Sequence, residues 1–152
     1  MTIDGSHQHY GLHYWETYAP VVTWPAIRFY LTMTLIKGWH TRQLDFILAY
    51  THADCETELY MDLPKGFTCA GSRTTHALKL LKNLYGQKKA GRVWNQYLTK
   101  TLVNVGFVQS QVNECVFYYK HSVFMVFTDD TILVGPDQQE LNDIVKILSA
   151  NF

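Results

Sequence analysis

The sequence is poor in cysteine and proline, has no long apolar run and carries no net charge. Its three cysteines, Cys55, Cys69 and Cys115, lie far apart among 152 residues and form no CxxC pair. That spacing argues against a disulfide framework and against a zinc knuckle. No stretch approaches the roughly 18 consecutive apolar residues of a membrane span, and the polar N-terminus is unlike a secretory signal. The chain is therefore expected inside the cell, without a membrane partner. What is abundant is apolar and aromatic content, 47% and 14% of the residues. This is ample for the core of one domain, or of a compact piece of a larger one.

The balanced total of 13 basic and 13 acidic residues hides a segregated distribution. Between Leu63 and Asn113 there is no Asp or Glu, yet there are eight cations: Lys65, Arg73, Lys79, Lys82, Lys88, Lys89, Arg92 and Lys100. Such a block has the charge pattern of a phosphate-binding footprint, or else forms a solvated basic face. Tyr85, Trp94 and Tyr97 lie among the cations and are able to stack on bases, although Trp94 and Tyr97 suit a core equally well.

Two placements of aspartate stand out. In 123-VFMVFTDDTILVG-135 the adjacent Asp129 and Asp130 fall between two apolar, β-branched runs that read as strands of a hairpin. Carboxylates held side by side repel each other, and either open solvent or a bound cation relieves the repulsion. In 39-WHTRQLDFILAYTHA-53, Trp39 to Tyr50 reads as a buried strand with Asp45 in its middle. A buried aspartate costs several kcal/mol unless it is paired, neutralised or bound to metal, and Arg42 is one available partner. If the hairpin lies beside that strand, three carboxylates converge, a donor set suited to Mg²⁺. Two such ions suit transfer of a nucleotide to a primer hydroxyl.

Elsewhere, residues 1–13 read as a loose polar leader holding His7, His9 and His13. Apolar spacing predicts an amphipathic helix over Ala26–Gly38, closed by Gly38. Strands are expected around Leu59–Met61 and Thr75–Leu81, then a glycine-bearing basic loop, 84-LYGQKKAGRVW-94. That loop opens a helix from Arg92 to Val105 capped by Gly106. A last amphipathic helix spans Asp137–Leu148, with Leu141, Ile144, Val145 and Leu148 on one face. Strands and helices intermix without βαβ spacing, which predicts an α+β fold.

The ordered stretches 14-YWETYAPVV-22, 43-QLDFILAY-50, 60-YMDLPKGF-67, 84-LYGQKKAGRVW-94 and 127-FTDD-130 resemble the reverse transcriptase of copia-type LTR retrotransposons. The resemblance covers about residues 14–152 and implies a fingers-and-palm piece of a Pol polyprotein, an antiparallel sheet backed by helices, with thumb and RNase H regions not represented. It implies RNA-directed DNA polymerase chemistry with two Mg²⁺ ions, for which Mn²⁺ is a substitute. Asp45, Asp129 and Asp130 would be the catalytic metal ligands. Tyr50 matches the aromatic gate that selects deoxynucleotides, and Tyr85 with Gly86 matches the region contacting the nascent base pair. Lys88, Lys89 and Arg92 would touch phosphate or template. The implied partners are an RNA or DNA template with primer, dNTPs and the remainder of the polyprotein, in a cytoplasmic virus-like particle. The other expectation is an inactive remnant that at most binds nucleic acid through its basic block. Phe127 stands where the family usually has Tyr, Gly91 where it has Pro, and Thr51-His52 replaces a more apolar continuation.

Overall fold

The computed structural model describes residues 2–68 and 74–152. Cys69 and Arg73, the latter one of the eight cations of the basic block, lie outside the described residues. The elements are α1 (Trp24–Lys37), β1 (His40–Asp45), β2 (Tyr60–Met61), β3 (Leu78–Lys79), α2 (Ala90–Asn104), β4 (Val108–Gln109), β5 (Val116–Tyr119), β6 (Ser122–Phe127), β7 (Asp130–Gly135) and α3 (Gln138–Asn151), with 3₁₀ turns at Gly5–His7 and Ala49–His52. Two compact units are present: residues 1–18 with 50–94, and residues 19–49 with 95–152. The fold is α+β, as expected.

The larger unit is built on an antiparallel sheet in the order β1-β7-β6-β5-β4. Its centre follows directly from the sequence. The run Ser122–Val126 and most of Thr131–Gly135 are buried, because these strands are covered on both faces. Cross-strand partners share a face, so Tyr118, Val123, Val134 and Thr41 lie on one side and Phe117, Phe124, Leu133 and Arg42 on the other. The first side meets α1, where the Tyr30 and Tyr118 hydroxyls are 2.8 Å apart. The second meets α3, whose Asn142 accepts a hydrogen bond from Arg42 at 3.1 Å. Leu141, Ile144 and Leu148 bury the expected face of α3. Asp137 caps that helix, its Oδ1 accepting from the Gln139 N–H at 2.8 Å. Leu98, Leu102 and Phe107 complete the core, Phe107 lying 5.8 Å from the Phe124 ring.

Both glycine stops work as expected. Gly38, in the left-handed region at φ 65°, donates to Leu35 O while the Trp39 N–H reaches back to Thr34 O at 2.9 Å. Gly106 and Phe107 repeat the pattern on Val103 and Leu102.

Two expectations are corrected. The strand expected over Trp39–Tyr50 ends at Asp45, turns, and enters the 3₁₀ turn that holds Tyr50. It lies at the sheet edge, and Asp45 is exposed at its end rather than buried in its middle. Water thus bears the carboxylate's solvation without a salt bridge to Arg42. The apolar face expected on α1 is only partly covered: Thr34 is buried and Ile27 and Tyr30 are half-buried, whereas Leu31 and Leu35 remain open. Apolar residues sit all round this helix, so spacing alone does not determine which side packs. Of the two readings open for Trp94, the core is the one observed, the residue being 1% exposed.

The smaller unit contains the β2–β3 pair and the described part of the N-terminal segment. That segment is tied down: the Ile3 N–H donates to Tyr85 O at 2.9 Å and Gln8 Oε1 accepts from the Lys88 N–H at 2.7 Å.

Candidate active site

The hairpin joining β6 and β7 turns on two residues, Thr128 and Asp129, with Phe127 opposite Asp130. Thr128 sits at φ 60°, the pattern of a type II′ turn, whose first central position favours glycine. A β-branched residue there is strained by on the order of 1–3 kcal/mol, and the buried strands on both sides hold it.

β1 continues the arrangement, with Asp45 paired directly across from Asp130. Two further bonds hold this end of the sheet. The Phe46 N–H donates to the backbone oxygen of Asp129 at 3.3 Å. The buried Thr131 hydroxyl donates to Leu44 O at 2.8 Å. Phe46 is itself buried against Phe152, ring centres 4.8 Å apart. The backbone therefore puts Asp45 opposite Asp130 and next to the turn residue Asp129. Among the described residues no three His, Cys, Asp or Glu side chains form a ready-made metal cage. The donor chemistry nevertheless fits a hard cation: Asp45 and Asp130 are exposed like charges facing each other across a ladder, an arrangement that destabilises by about 0.2–1 kcal/mol. A divalent ion between them removes that repulsion.

On the α1 side of the same hairpin lies a mostly apolar cavity of about 200 Å³, lined by Trp24, Ile27, Met125, Phe127, Asp130 and Ile132 among others. Nothing in the residue pattern marked it, since its walls come from three separate segments.

The remaining expected site residues belong to the smaller unit. Tyr50, half-buried, stacks on Tyr85 with ring centres 4.3 Å apart and planes tilted by 35°. Gly86 lies at φ 98°, and a Cβ there would overlap the Ile3 carbonyl oxygen. No other residue fits that approach. Of the expected phosphate contacts, Lys88 is exposed, and its ammonium forms no ion pair among the described residues. Lys89 pairs with Glu56 at 2.5 Å and Arg92 with Glu16 at 2.9 Å. Lys82 pairs with Asp54 at 2.7 Å, and Lys79 pairs with Glu58, which raises the Lys79 pKa. Three cations of the basic block are thus paired with the acidic segment that precedes it.

Two residues here carried no sequence signal. Asn83 is buried and donates its amide to Ala53 O at 3.0 Å and Asp54 O at 2.8 Å, fixing the start of the basic loop. Gln87, also buried, approaches Cys55 with its amide nitrogen at 3.7 Å. Burial raises the Cys55 pKa above its usual value.

A family model for reverse transcriptase (RNA-dependent DNA polymerase) matches residues 1–152. The chain belongs to this reverse transcriptase family. It is 35% identical over 156 residues to the Retrovirus-related Pol polyprotein from transposon RE1 of Arabidopsis thaliana, a match covering 100% of this chain and 11% of that protein. It is 29% identical over 157 residues to the corresponding polyprotein from transposon TNT 1-94 of Nicotiana tabacum, covering 100% of this chain and 12% of that one. A Transposon Ty1-H Gag-Pol polyprotein of Saccharomyces cerevisiae is 27% identical over 143 residues, 90% of this chain and 8% of its own length. The chain thus spans about a tenth of the length of the curated relatives it matches. No solved structure matches it significantly. The family match includes the polar N-terminal segment, which lay outside the resembling stretches. No helix among the described residues is long and apolar enough to cross a membrane.

Proposed function

We propose that this chain is the catalytic piece of an RNA-directed DNA polymerase, extending a primer with deoxynucleotides on an RNA or DNA template. The observation that carries the reading is the pairing of Asp45 with Asp130 beside the Thr128-Asp129 turn, at the end of a hairpin whose strands are otherwise mostly apolar and buried. Asp45, Asp129 and Asp130 would hold Mg²⁺, or Mn²⁺ in its place. Bound there, two divalent ions supply charge neutralisation at the transferred phosphate and activation of the primer hydroxyl. In the reaction the primer 3′-oxygen attacks the α-phosphorus of a dNTP, and pyrophosphate leaves. The protein's contribution is to keep the carboxylates in register through the β1–β7 ladder and the Thr131–Leu44 hydrogen bond.

Tyr50, stacked on Tyr85, takes the role of the sugar gate, and Gly86 lets the loop pass close to its neighbour. Lys88, Lys89 and Arg92 contact template or primer phosphate. The rest of a Pol polyprotein is the natural partner, in a cytoplasmic particle. A second reading, a remnant that binds nucleic acid without catalysis, is favoured by the exposed Lys65, Lys88 and Lys100, whose ammonium groups are in no ion pair among the described residues.

The deciding experiment is Mg²⁺-dependent extension of a DNA primer on an RNA template, with Asp129→Asn alongside. Extension by the wild type that the substitution abolishes supports catalysis. Binding of primer–template by folded wild-type protein without extension supports the remnant. Equal extension by both proteins removes the metal roles altogether.

A further inference from the structure

Three cations of the basic block converge on one short acidic segment. Lys82, Lys89 and Lys79 come from two separate stretches, yet their ammonium groups meet Asp54, Glu56 and Glu58 respectively. The acids occupy alternate positions of a five-residue run. This segment is also held by its backbone. The Cys55 N–H donates to Leu81 O at 3.0 Å, and the Leu80 N–H donates to Leu59 O at 2.8 Å. The carboxylates are therefore not needed to keep the segment in place.

We propose that Lys79, Lys82 and Lys89 form a phosphate-binding surface for a single nucleic-acid strand, and that Asp54, Glu56 and Glu58 are its built-in competitor. The proposal rests on the nucleic-acid reading above and adds Lys79, Lys82 and the three acids to it. Whereas the Lys89–Glu56 pair is more covered, at 17% and 47% exposed, the Lys79 and Lys82 side chains are each 48% exposed and their acidic partners 68% and 84%. Exposed pairs of this kind add little to stability, so exchanging a carboxylate for a phosphate is nearly neutral within the protein. A polymeric strand also gains the release of its condensed counterions, which the internal acids do not offer. The acidic segment acts as a threshold: isolated anions fail to displace it, and a strand presenting successive phosphates succeeds.

The test is fluorescence anisotropy with labelled oligodeoxythymidylate over a series of salt concentrations, on the 152-residue chain. Wild type is compared with Asp54→Asn/Glu56→Gln/Glu58→Gln. A control neutralises acids that pair with no cation among the described residues, Asp62→Asn/Glu114→Gln/Asp137→Asn, so that net charge changes equally. Freeing three cations is expected to steepen the slope of log K against log salt by about 2, at about 0.7 per single-strand phosphate. Affinity at low salt should rise roughly 10- to 100-fold, and the control should show neither change. Adding Lys79→Gln and Lys82→Gln to the triple variant should reverse most of the gain.

Equal gains in the control and the triple variant overturn the proposal, because net charge alone would then explain them. A triple variant indistinguishable from a binding wild type overturns it while leaving the nucleic-acid reading intact. No binding by any of the proteins overturns both. Should circular dichroism show the triple variant unfolded, Asp54→Asn alone carries the test, with an expected slope change of about 0.7 and overturn if it shows none.

Discussion

At the scale of single residues, the site depends on a conflict held in place by its surroundings. Asp45 and Asp130 face each other, and like charges in that position destabilise the ladder. Asp130→Asn should therefore raise the stability of the metal-free protein by about 0.2–1 kcal/mol. With the proposed metal site, Mg²⁺ is expected to raise the melting temperature of the wild type, since a ligand that binds the native state stabilises it, and Asp130→Asn should remove that increase. Thermal denaturation with and without Mg²⁺ measures both. A variant less stable than wild type, or equally responsive to Mg²⁺, contradicts the metal assignment. Thr128, strained at φ 60°, belongs to the same pattern: the chain accepts a poor turn residue where the flanking strands fix the geometry.

At the scale of elements, α1 packs with Ile27 and Tyr30 half-buried and Thr34 buried, and the Tyr30–Tyr118 hydroxyl pair ties it to the sheet. Burial first, and then the hydrogen bond to Tyr118, push the Tyr30 pKa up to about 12. An unfolded tyrosine ionises near 10, so between these values the unfolded chain releases a proton that the folded chain retains. Stability from this group is complete below pH 10 and declines as pH rises toward 12. Urea midpoints measured across that interval should fall for wild type and fall less steeply for Tyr30→Phe. Parallel curves would show that the pair does not anchor α1. The buried Cys115 thiol, pushed up to about 11, adds a decline beginning at lower pH in both proteins.

At the scale of the whole molecule, the two compact units divide their work differently. The sheet unit holds the densest apolar packing, with Leu133, Phe124, Leu141 and Ile144 fully buried. Leu133→Ala leaves a cavity at its centre and should cost about 2–5 kcal/mol. Chemical denaturation followed by circular dichroism reads that loss, and a change below 1 kcal/mol would mean that the core collapses around the gap. The smaller unit is organised instead by backbone ties to the N-terminal segment and by the Asn83 amide, with ion pairs on its surface. Its exposed pairs are screened by salt, so its charge state responds to the medium more than its fold does.

The residues alone determined much of this. Periodicity located α3, glycines marked the ends of α1 and α2, and the apolar runs flanking Asp129 and Asp130 announced the hairpin, because these are local effects of backbone sterics and side-chain burial. The ordered motifs led to the family. Other features waited for the tertiary structure. Whether Asp45 is buried depends on the position of its strand in the sheet, and an edge strand exposes what a central strand would bury. Which side of α1 packs is undecided when apolar residues surround the helix. The partners of Lys79, Lys82 and Lys89 lie 21 to 33 residues away in the chain, so a charge count shows an unbroken basic block where the folded chain shows neutralised pairs. Local propensity travels with the residues, whereas burial and charge pairing are set by which distant segments the fold brings together.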